Sequence, residues 1–250
     1  MIYIFSVMFI FFFFGMPIGF GILASTVLYL LISGQPMELM SFTARVLSAA
    51  DSYVLIAVPF FMLAAELMNE SKITDRIFSF AKALVGHIPG GLGHVNVAAS
   101  MIFAGMSGSG LADTSGLGKV EIKAMKDDGY DPAFSAAVTA SSAIIGPIIP
   151  PSICMVVGAV VTNTSVGRML VGGIIPGILM GSGLMLMVYF LSLKRGYPKM
   201  QRETLLGIWN KFLGTGPAML TPAILVGGIV TGVFTPTEAA AVACIYALIL

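Results

Sequence analysis

Charge is what this sequence has least of: only 10% of its 250 residues are Asp, Glu, Lys or Arg. Soluble domains carry roughly 25%, so too few charges are present to cover a water-facing surface. That excludes a soluble enzyme and a disordered chain. Thirteen basic residues against twelve acidic ones leave a net charge of +1. There is no polybasic arm, and nucleic acid is not a partner. Cysteine is nearly absent too. Cys154 and Cys244 stand far apart in apolar segments, which excludes a disulfide framework and a CxxC metal site; both read as small buried hydrophobes. The two histidines, His87 and His94, form no HExxH pattern, and no Walker motif occurs, so zinc-protease and P-loop chemistry lose their signatures.

What is abundant is apolar surface, at 57% of residues and a mean hydropathy of +0.97. At roughly 20 residues per span, seven or eight apolar stretches would use most of the chain. The 29 glycines and 13 prolines sit inside those stretches as well as between them. Membrane helices tolerate such residues where protein, polar side chains or water satisfy the freed backbone groups. The expectation is an all-α integral membrane protein with several broken helices.

Residues Ile2–Ile32 read as one retained span with a Gly15-Met16-Pro17 break, lacking the basic region and cleavage site of a signal peptide. Gln35 to Ala50 is more polar and suits an interface. Asp51 and Ser52 can cap a second span running to about Met68, interrupted by Pro59, with Glu66 snorkelling near its end. Ser71 to Val85 places Ile73, Ile77, Phe80 and Leu84 on one helical face, with Lys72, Asp75, Arg76 and Lys82 mostly elsewhere. That is an amphipathic helix for a membrane surface. His87-Ile88-Pro89-Gly90-Gly91 ends it.

The stretch from Gly91 to Lys126 is unusual. A first limb to about Met106 covers only about 24 Å of helix. It meets Ser107-Gly108-Ser109-Gly110-Leu111-Ala112-Asp113-Thr114-Ser115-Gly116, and a second limb carries Lys119, Glu121, Lys123 and Lys126. A re-entrant helical hairpin with its tip near mid-membrane fits better than two full spans, since irregular backbone at that depth must lie in protein or line a wet cavity. After Gly129-Tyr130, Asp131 caps a helix whose first position is Pro132. It runs from Ala133 to Ile145 and stops at Gly146-Pro147-Ile148-Ile149-Pro150-Pro151-Ser152, through which no regular helix continues. Apolar sequence resumes to Val161. This is a discontinuous helix.

A further span covers about Met169 to Leu193. The loop Lys194 to Lys211 carries Lys194, Arg195, Lys199, Arg202 and Lys211 against Glu203 alone, so the positive-inside rule makes it cytoplasmic. Counting back puts both ends of the hairpin on the same side. Pro217 to Val233 is another Pro/Gly-rich apolar run, and Pro236 to Leu250 starts one more, about 22 Å of helix. That run has no polar flank or C-cap, and the expectation is a piece of a longer chain.

A hairpin and a broken helix, both interrupted midway, are the elements transporters use for substrate and ion sites. Helix N-termini suit anions and exposed carbonyls suit cations. A hard cation such as sodium wants oxygen ligands. Ser107, Ser109, Thr114 and Ser115 at the tip, and Thr139, Ser141 and Ser142 beside the second break, supply hydroxyls; Asp113 supplies a negative charge. Each hydroxyl has a second role open to it, bonding its own backbone or gluing helices, and Asp113 can cap the second limb. The clustering carries the signal, because intramembrane carboxylates are functional by default. Gly105-Met106-Ser107-Gly108 also has the GxSx look of a rhomboid-type intramembrane serine protease, which would need His87 or His94 as the base of Ser107. A channel-like pore and a structural subunit are the remaining alternatives.

The residues also resemble a known family. Asp51-Ser52 through Pro59-Phe60-Phe61, Ala65-Glu66-Leu67-Met68-Asn69, Gly93-His94-Val95-Asn96-Val97, Phe103 to Ser109, Gly129 to Pro132, Gly146 to Ser152 and Phe234 to Ala240 are similar to the DctM-type large membrane subunit of TRAP transporters. The resemblance runs through nearly the whole chain in order. It implies a sodium-driven secondary transporter of the elevator type, importing an organic acid such as a dicarboxylate or sialic acid across the bacterial inner membrane. It also implies a small four-helix membrane subunit and a periplasmic binding protein as partners, membrane lipid around the fold, and no cofactor beyond the coupling ion. Carried onto this chain, Ser107, Gly108, Ser109 and Asp113 lie at the hairpin tip, and Gly146, Pro147, Pro150 and Pro151 form the helix break; both line the sodium and substrate region. Residues 1–86 would hold scaffold spans and an amphipathic arm, 87–164 the transport core, and 165–250 further spans and the start of an inverted second half.

Overall fold

A computed structural model describes residues 2–34, 36–51, 53–70 and 73–250. Gln35, Ser52, Ser71 and Lys72, each given a place by the sequence pattern, lie outside them. The described residues form helices and turns, with no strand among them. The chain divides into two compact units, Met1–Ser52 and Tyr53–Leu250.

The first unit holds α1 (Ile2–Phe13), α2 (Ile18–Ile32) and α3 (Pro36–Ala50). Residues 2–32 are therefore not one span with a break. Gly15 turns the chain at φ +78°, and α2 folds back on α1. Phe12 lies directly over Gly21, where a Cβ would approach its ring to 2.5 Å, while Tyr3 shares a recess with Ile32 and Ser33. Positive φ costs a residue other than glycine about 1–2 kcal/mol, which is why the reversal falls at Gly15.

The second unit begins with a 3-10 turn at Tyr53–Ile56 and continues through α4 (Ala57–Glu70), α5 (Ile73–Val85), α6 (Gly91–Ser107), α7 (Gly110–Ser115), α8 (Leu117–Asp127), α9 (Pro132–Ala143), α10 (Ile153–Val161), α11 (Val166–Arg195), α12 (Leu205–Val230) and α13 (Pro236–Ile249). Among the described residues two helices, α11 and α12, are long and apolar enough to cross a membrane. Glycine is common on α6, and small residues let backbones approach closely. The result is a central helix: α6 packs against α4, α5, α8, α9, α11 and α12. All of its residues except Met101 and Ile102 are buried.

The amphipathic helix α5 departs from expectation. Ile73, Ile77 and Phe80 are buried against protein rather than left for a membrane surface, because α5 lies on α6 and α12. Arg76 Nη1 donates to the Gly214 carbonyl at 3.2 Å, and Thr215 Oγ1 faces the Arg76 carbonyl at 3.3 Å. The apolar stripe serves a protein interface.

Prolines break fewer helices than the sequence suggests. Pro176, Pro217 and Pro222 lie inside continuous helices, whereas Pro59 stands in the first turn of α4, just after the 3-10 turn, where its missing N–H has no intrahelical partner to lose. The Lys194–Lys211 loop is shorter too, since α12 starts at Leu205 with Thr204 accepting from Gly207 N–H. Side chains take over near Pro217, where Arg76 and Thr215 meet the carbonyls of Gly214 and Lys211. The 144–152 segment, with Pro147, Pro150 and Pro151, does break outright.

Backbone bonds set the hairpin's base. Gly91 N–H donates to the Pro198 carbonyl at 3.2 Å and Met200 N–H to the Gly86 carbonyl at 3.0 Å. Tyr130 stacks on Tyr197 with centroids 4.3 Å apart, and Arg195 reaches Asp131 at 3.5 Å and the Phe134 face at 5.3 Å. Burial pushes the Tyr130 phenol up to about 12, so it stays neutral there. These contacts bring both ends of the hairpin and the basic loop after α11 to one end of the unit, as the charge pattern requires.

Candidate functional site

The hairpin tip is built by two residues. α6 ends at Ser107, Gly108 adopts φ +59°, and Ser109 caps α7, its hydroxyl accepting from Ala112 N–H at 3.4 Å. The irregular segment is thus shorter than the ten residues expected, because Gly110-Leu111-Ala112-Asp113-Thr114-Ser115 is itself a turn and a half of helix. A kink at Gly116 then leads into α8. On the other side α9 runs Pro132–Ala143, with Asp131 Oδ1 accepting from Ala133 N–H at 3.0 Å. After the break, Ser152 caps α10: its hydroxyl accepts from Met155 N–H at 3.2 Å and donates to the Pro147 carbonyl.

Tip and break touch through backbone. A Cβ on Gly108 would lie 2.1 Å from the Pro151 carbonyl oxygen, and one on Gly110 would lie 2.6 Å from that of Ala143. A Cβ on Gly146 would meet Gly110 N and the Ser109 carbonyl carbon at 3.0 Å. Between them opens a recess of about 440 Å³, lined by Gly108, Ser109, Leu111 and Thr114 from the tip and by Ala140, Pro147 and Cys154 from the broken helix. Gly110 and Leu111 of the first turn of α7 and Ile153 and Cys154 of the first turn of α10 also line it, and helix N-termini favour an anion. The ends of α6 and α9 bring carbonyls, which favour a cation. Replacing Ser152 with Ala removes the α10 cap and leaves the Pro147 carbonyl without its donor. We expect a loss of about 0.5–2 kcal/mol in the thermal stability of the purified protein, with Ser152→Thr recovering most of it.

The sequence-predicted residues divide into two groups. Gly108, Ser109, Thr114 and Pro147 line the recess. Ser107 is buried beneath it, its hydroxyl 3.4 Å from Ser109 N, while Gly146, Pro150 and Pro151 form the buried wall of the break. Thr114 and Ser115 bond back to the carbonyls of Gly110 and Ala112. Thr139 and Ser142 face the other way. Asn96 Nδ2 donates to Thr139 Oγ1 at 2.6 Å, Ser142 Oγ donates to Asn96 Oδ1 at 2.8 Å, and Ser100 Oγ donates to Ser142 Oγ at 3.1 Å. Together they clamp α6 to α9. Ser141 is half-buried on α9 and does not line the recess. Asp113 is 1% exposed, and its carboxylate oxygens have no hydrogen-bond partner. It lies beside Ser100 on α6, behind the tip rather than in the recess.

Four participants are not among the residues the sequence pattern singles out: Asn96, Ser100, Ser152 and Glu121. Set among lysines, Glu121 reads as a water-facing charge, yet it is wholly buried. A signal for it does exist: Leu117, Glu121 and Met125 recur every four residues and form the buried stripe of α8, while Lys119, Lys123 and Lys126 are exposed. The protease alternative fails on distance. Ser107 and His94 stand at opposite ends of α6, roughly 20 Å apart, and the His94 ring lies against Tyr189 instead. His87 precedes α6 and is farther still. No group of three His, Cys, Asp or Glu side chains suited to a metal ion occurs among the described residues.

Residues 5–250 match the model of the family described as tripartite ATP-independent periplasmic transporter, DctM component. The chain is 49% identical over 241 residues to a sialic acid TRAP transporter large permease protein of Vibrio cholerae, covering 94% of this chain and 55% of that protein. It is 45% identical over 238 residues to a sialic acid TRAP transporter permease protein of Haemophilus influenzae, covering 95% and 38%. It is 39% identical over 235 residues to the 2,3-diketo-L-gulonate TRAP transporter large permease protein of Escherichia coli, covering 94% and 55%. The chain spans about half the length of the first and third of these and less of the second.

Proposed function

Since the chain belongs to the DctM component family of tripartite ATP-independent periplasmic transporters, we propose that it supplies one half of the transport site of a sodium-driven organic-acid importer. The observation that carries this reading is the meeting of hairpin tip and helix break around one recess, with two helix N-termini and two helix C-termini at its edge. Sodium binds first, to the carbonyls and hydroxyls of Ser107, Gly108 and Ser109 at the end of α6 and to the carbonyls of the break, with Asp113 compensating its charge from behind. Binding fixes the tip against the break and orients the N–H groups of α7 and α10 toward a carboxylate. The relatives' names point to acids of differing size, sialic acid, 2,3-diketo-L-gulonate and, in a Pseudomonas aeruginosa relative, C4-dicarboxylates. Their common element is the carboxylate, which suits a backbone site that reads charge more than shape.

The loaded core then moves as a body within its scaffold, an elevator step that exposes the recess to the cytoplasm. A small membrane subunit and a periplasmic binding protein complete the machine in the bacterial inner membrane. Asp113→Asn tests the ionic part. In the complete transporter it should weaken sodium-driven uptake tenfold or more, with expression unchanged. Uptake with wild-type sodium dependence would remove Asp113 from the mechanism.

A further inference from the structure

A second polar recess lies away from the tip, at the seam of α5 and α12. Asp75, Arg76, Ser79, Lys211, Gly214 and Thr215 line a space of about 280 Å³ there. Asp75, Arg76, Ser79 and Gly214 are exposed, so the recess opens to whatever surrounds the protein.

Its depth in a bilayer follows from α12. From Phe212 to Val230 that helix carries no charged residue, and this uncharged stretch covers about 28 Å, close to the thickness of a hydrocarbon core. Lys211 stands at the boundary of that stretch, on the side of the basic loop. Trp209 is 57% exposed and packs on Phe212 with ring centroids 5.6 Å apart, and tryptophan gathers at the level of lipid headgroups. The recess therefore opens among phospholipid headgroups, and the exposed Leu213 stands where acyl chains begin.

The charges choose among headgroups. Arg76 spends one N–H on the Gly214 carbonyl at 3.2 Å; the rest of its planar fork is free to grip a phosphate. Lys211 Nζ meets Glu203 at 3.2 Å and has further N–H groups to give. Asp75 forms no ion pair among the described residues. Two cations and two acids thus sum to zero. A purely anionic headgroup would leave Asp75 facing it as a like charge, whereas a zwitterion satisfies both signs.

We propose that this recess binds the headgroup of a zwitterionic phospholipid that ends in a primary ammonium, phosphatidylethanolamine by chemical class. Its phosphate sits between Arg76 and Lys211, and its ammonium donates to Asp75. A choline headgroup has the same two charges but no N–H to donate, and a glycerol headgroup has no cation. The bound lipid ties α5 to α12 on their membrane side, beside the contact that Arg76 already makes. The site is independent of the sodium and substrate reading of the tip.

Titrating the delipidated, purified complete permease with phosphatidylethanolamine, phosphatidylcholine and phosphatidylglycerol of identical acyl chains tests it, with bound lipid counted by native mass spectrometry and the thermal midpoint followed in parallel. The ethanolamine lipid should bind several-fold more tightly than the other two and raise the midpoint most. Asp75→Asn should bring it down to the level of the choline lipid and leave the choline lipid unchanged; Lys211→Gln should weaken all three. Equal affinity for the ethanolamine and choline lipids in wild type overturns the proposal, as does a preference that survives Asp75→Asn. Inorganic phosphate alone should not raise the midpoint; stabilisation by it equal to that by lipid would assign the recess to a free anion and overturn the lipid site. If Asp75→Asn does not fold, the wild-type comparison of the three headgroups decides.

Discussion

Gly108→Ala should abolish sodium-driven uptake in the complete transporter. Two independent features of the tip produce that result. Gly108 sits at φ +59°, where a Cβ costs about 1–2 kcal/mol. That Cβ would also stand 2.1 Å from the Pro151 carbonyl oxygen and 3.1 Å from Ser152 Cα. Both obstacles are backbone, so no rotamer change relieves them. Either the tip lifts from the break or the break recoils, and the recess loses the alignment of its helix ends. Gly105→Ala, three residues earlier, is the control. Its Cβ would find Pro222 side-chain atoms at 3.6 Å and the Pro150 carbonyl at 3.8 Å, which is ordinary contact. Uptake near wild type for Gly105→Ala beside none for Gly108→Ala would localise the effect to the tip. Equal activity in the two variants would refute the close tip–break packing.

The second large effect concerns stability. Phe103→Ala should cost about 3–5 kcal/mol, read as a large fall in the thermal midpoint of the purified permease. Phe103 is among the largest wholly buried side chains, on the central helix one turn before the tip. Phe-to-Ala leaves a void that surrounding helices fill only partly. Phe190→Ala on α11 is the comparison, since that ring is 66% exposed and faces outward from its helix. A change within about 0.5 kcal/mol is expected there. If the two variants lost similar stability, α6 would not be the centre of the core.

Much of the site is legible in the order of the residues. Gly-Pro-x-x-Pro-Pro cannot continue a helix, so the break has to fall at 146–151. Asp131-Pro132 and Thr235-Pro236 announce helix starts, and both occur as written: Asp131 caps α9, and Thr235 caps α13 with Glu238 closing the reciprocal box. Charge and proline mislead when they are read as local signals. Glu121 looks solvent-facing because lysines flank it in sequence, although a helix sends residues two apart to opposite faces. The prolines of α11 and α12 look like breaks because a missing N–H ordinarily ends a helix, whereas each helix here runs on. The apolar stripe of α5 is correctly placed by its spacing, but a stripe does not say whether lipid or protein will cover it.

The sequence by itself determined the apolar character, the helical class, a turn within residues 107–116 and the break after α9, because each follows from composition or from dihedral restrictions within a few residues; the structure narrowed the turn to Gly108 and Ser109. It also marked which end of the unit gathers the basic loop. Only the tertiary structure decided which polar groups meet. Thr139 and Ser142 turn to Asn96 rather than to the recess, and Glu121 turns inward from the lysines that flank it. Those choices depend on how α6, α8 and α9 are rotated about their axes, and helix rotation is settled by packing between distant segments, not by neighbours in the chain.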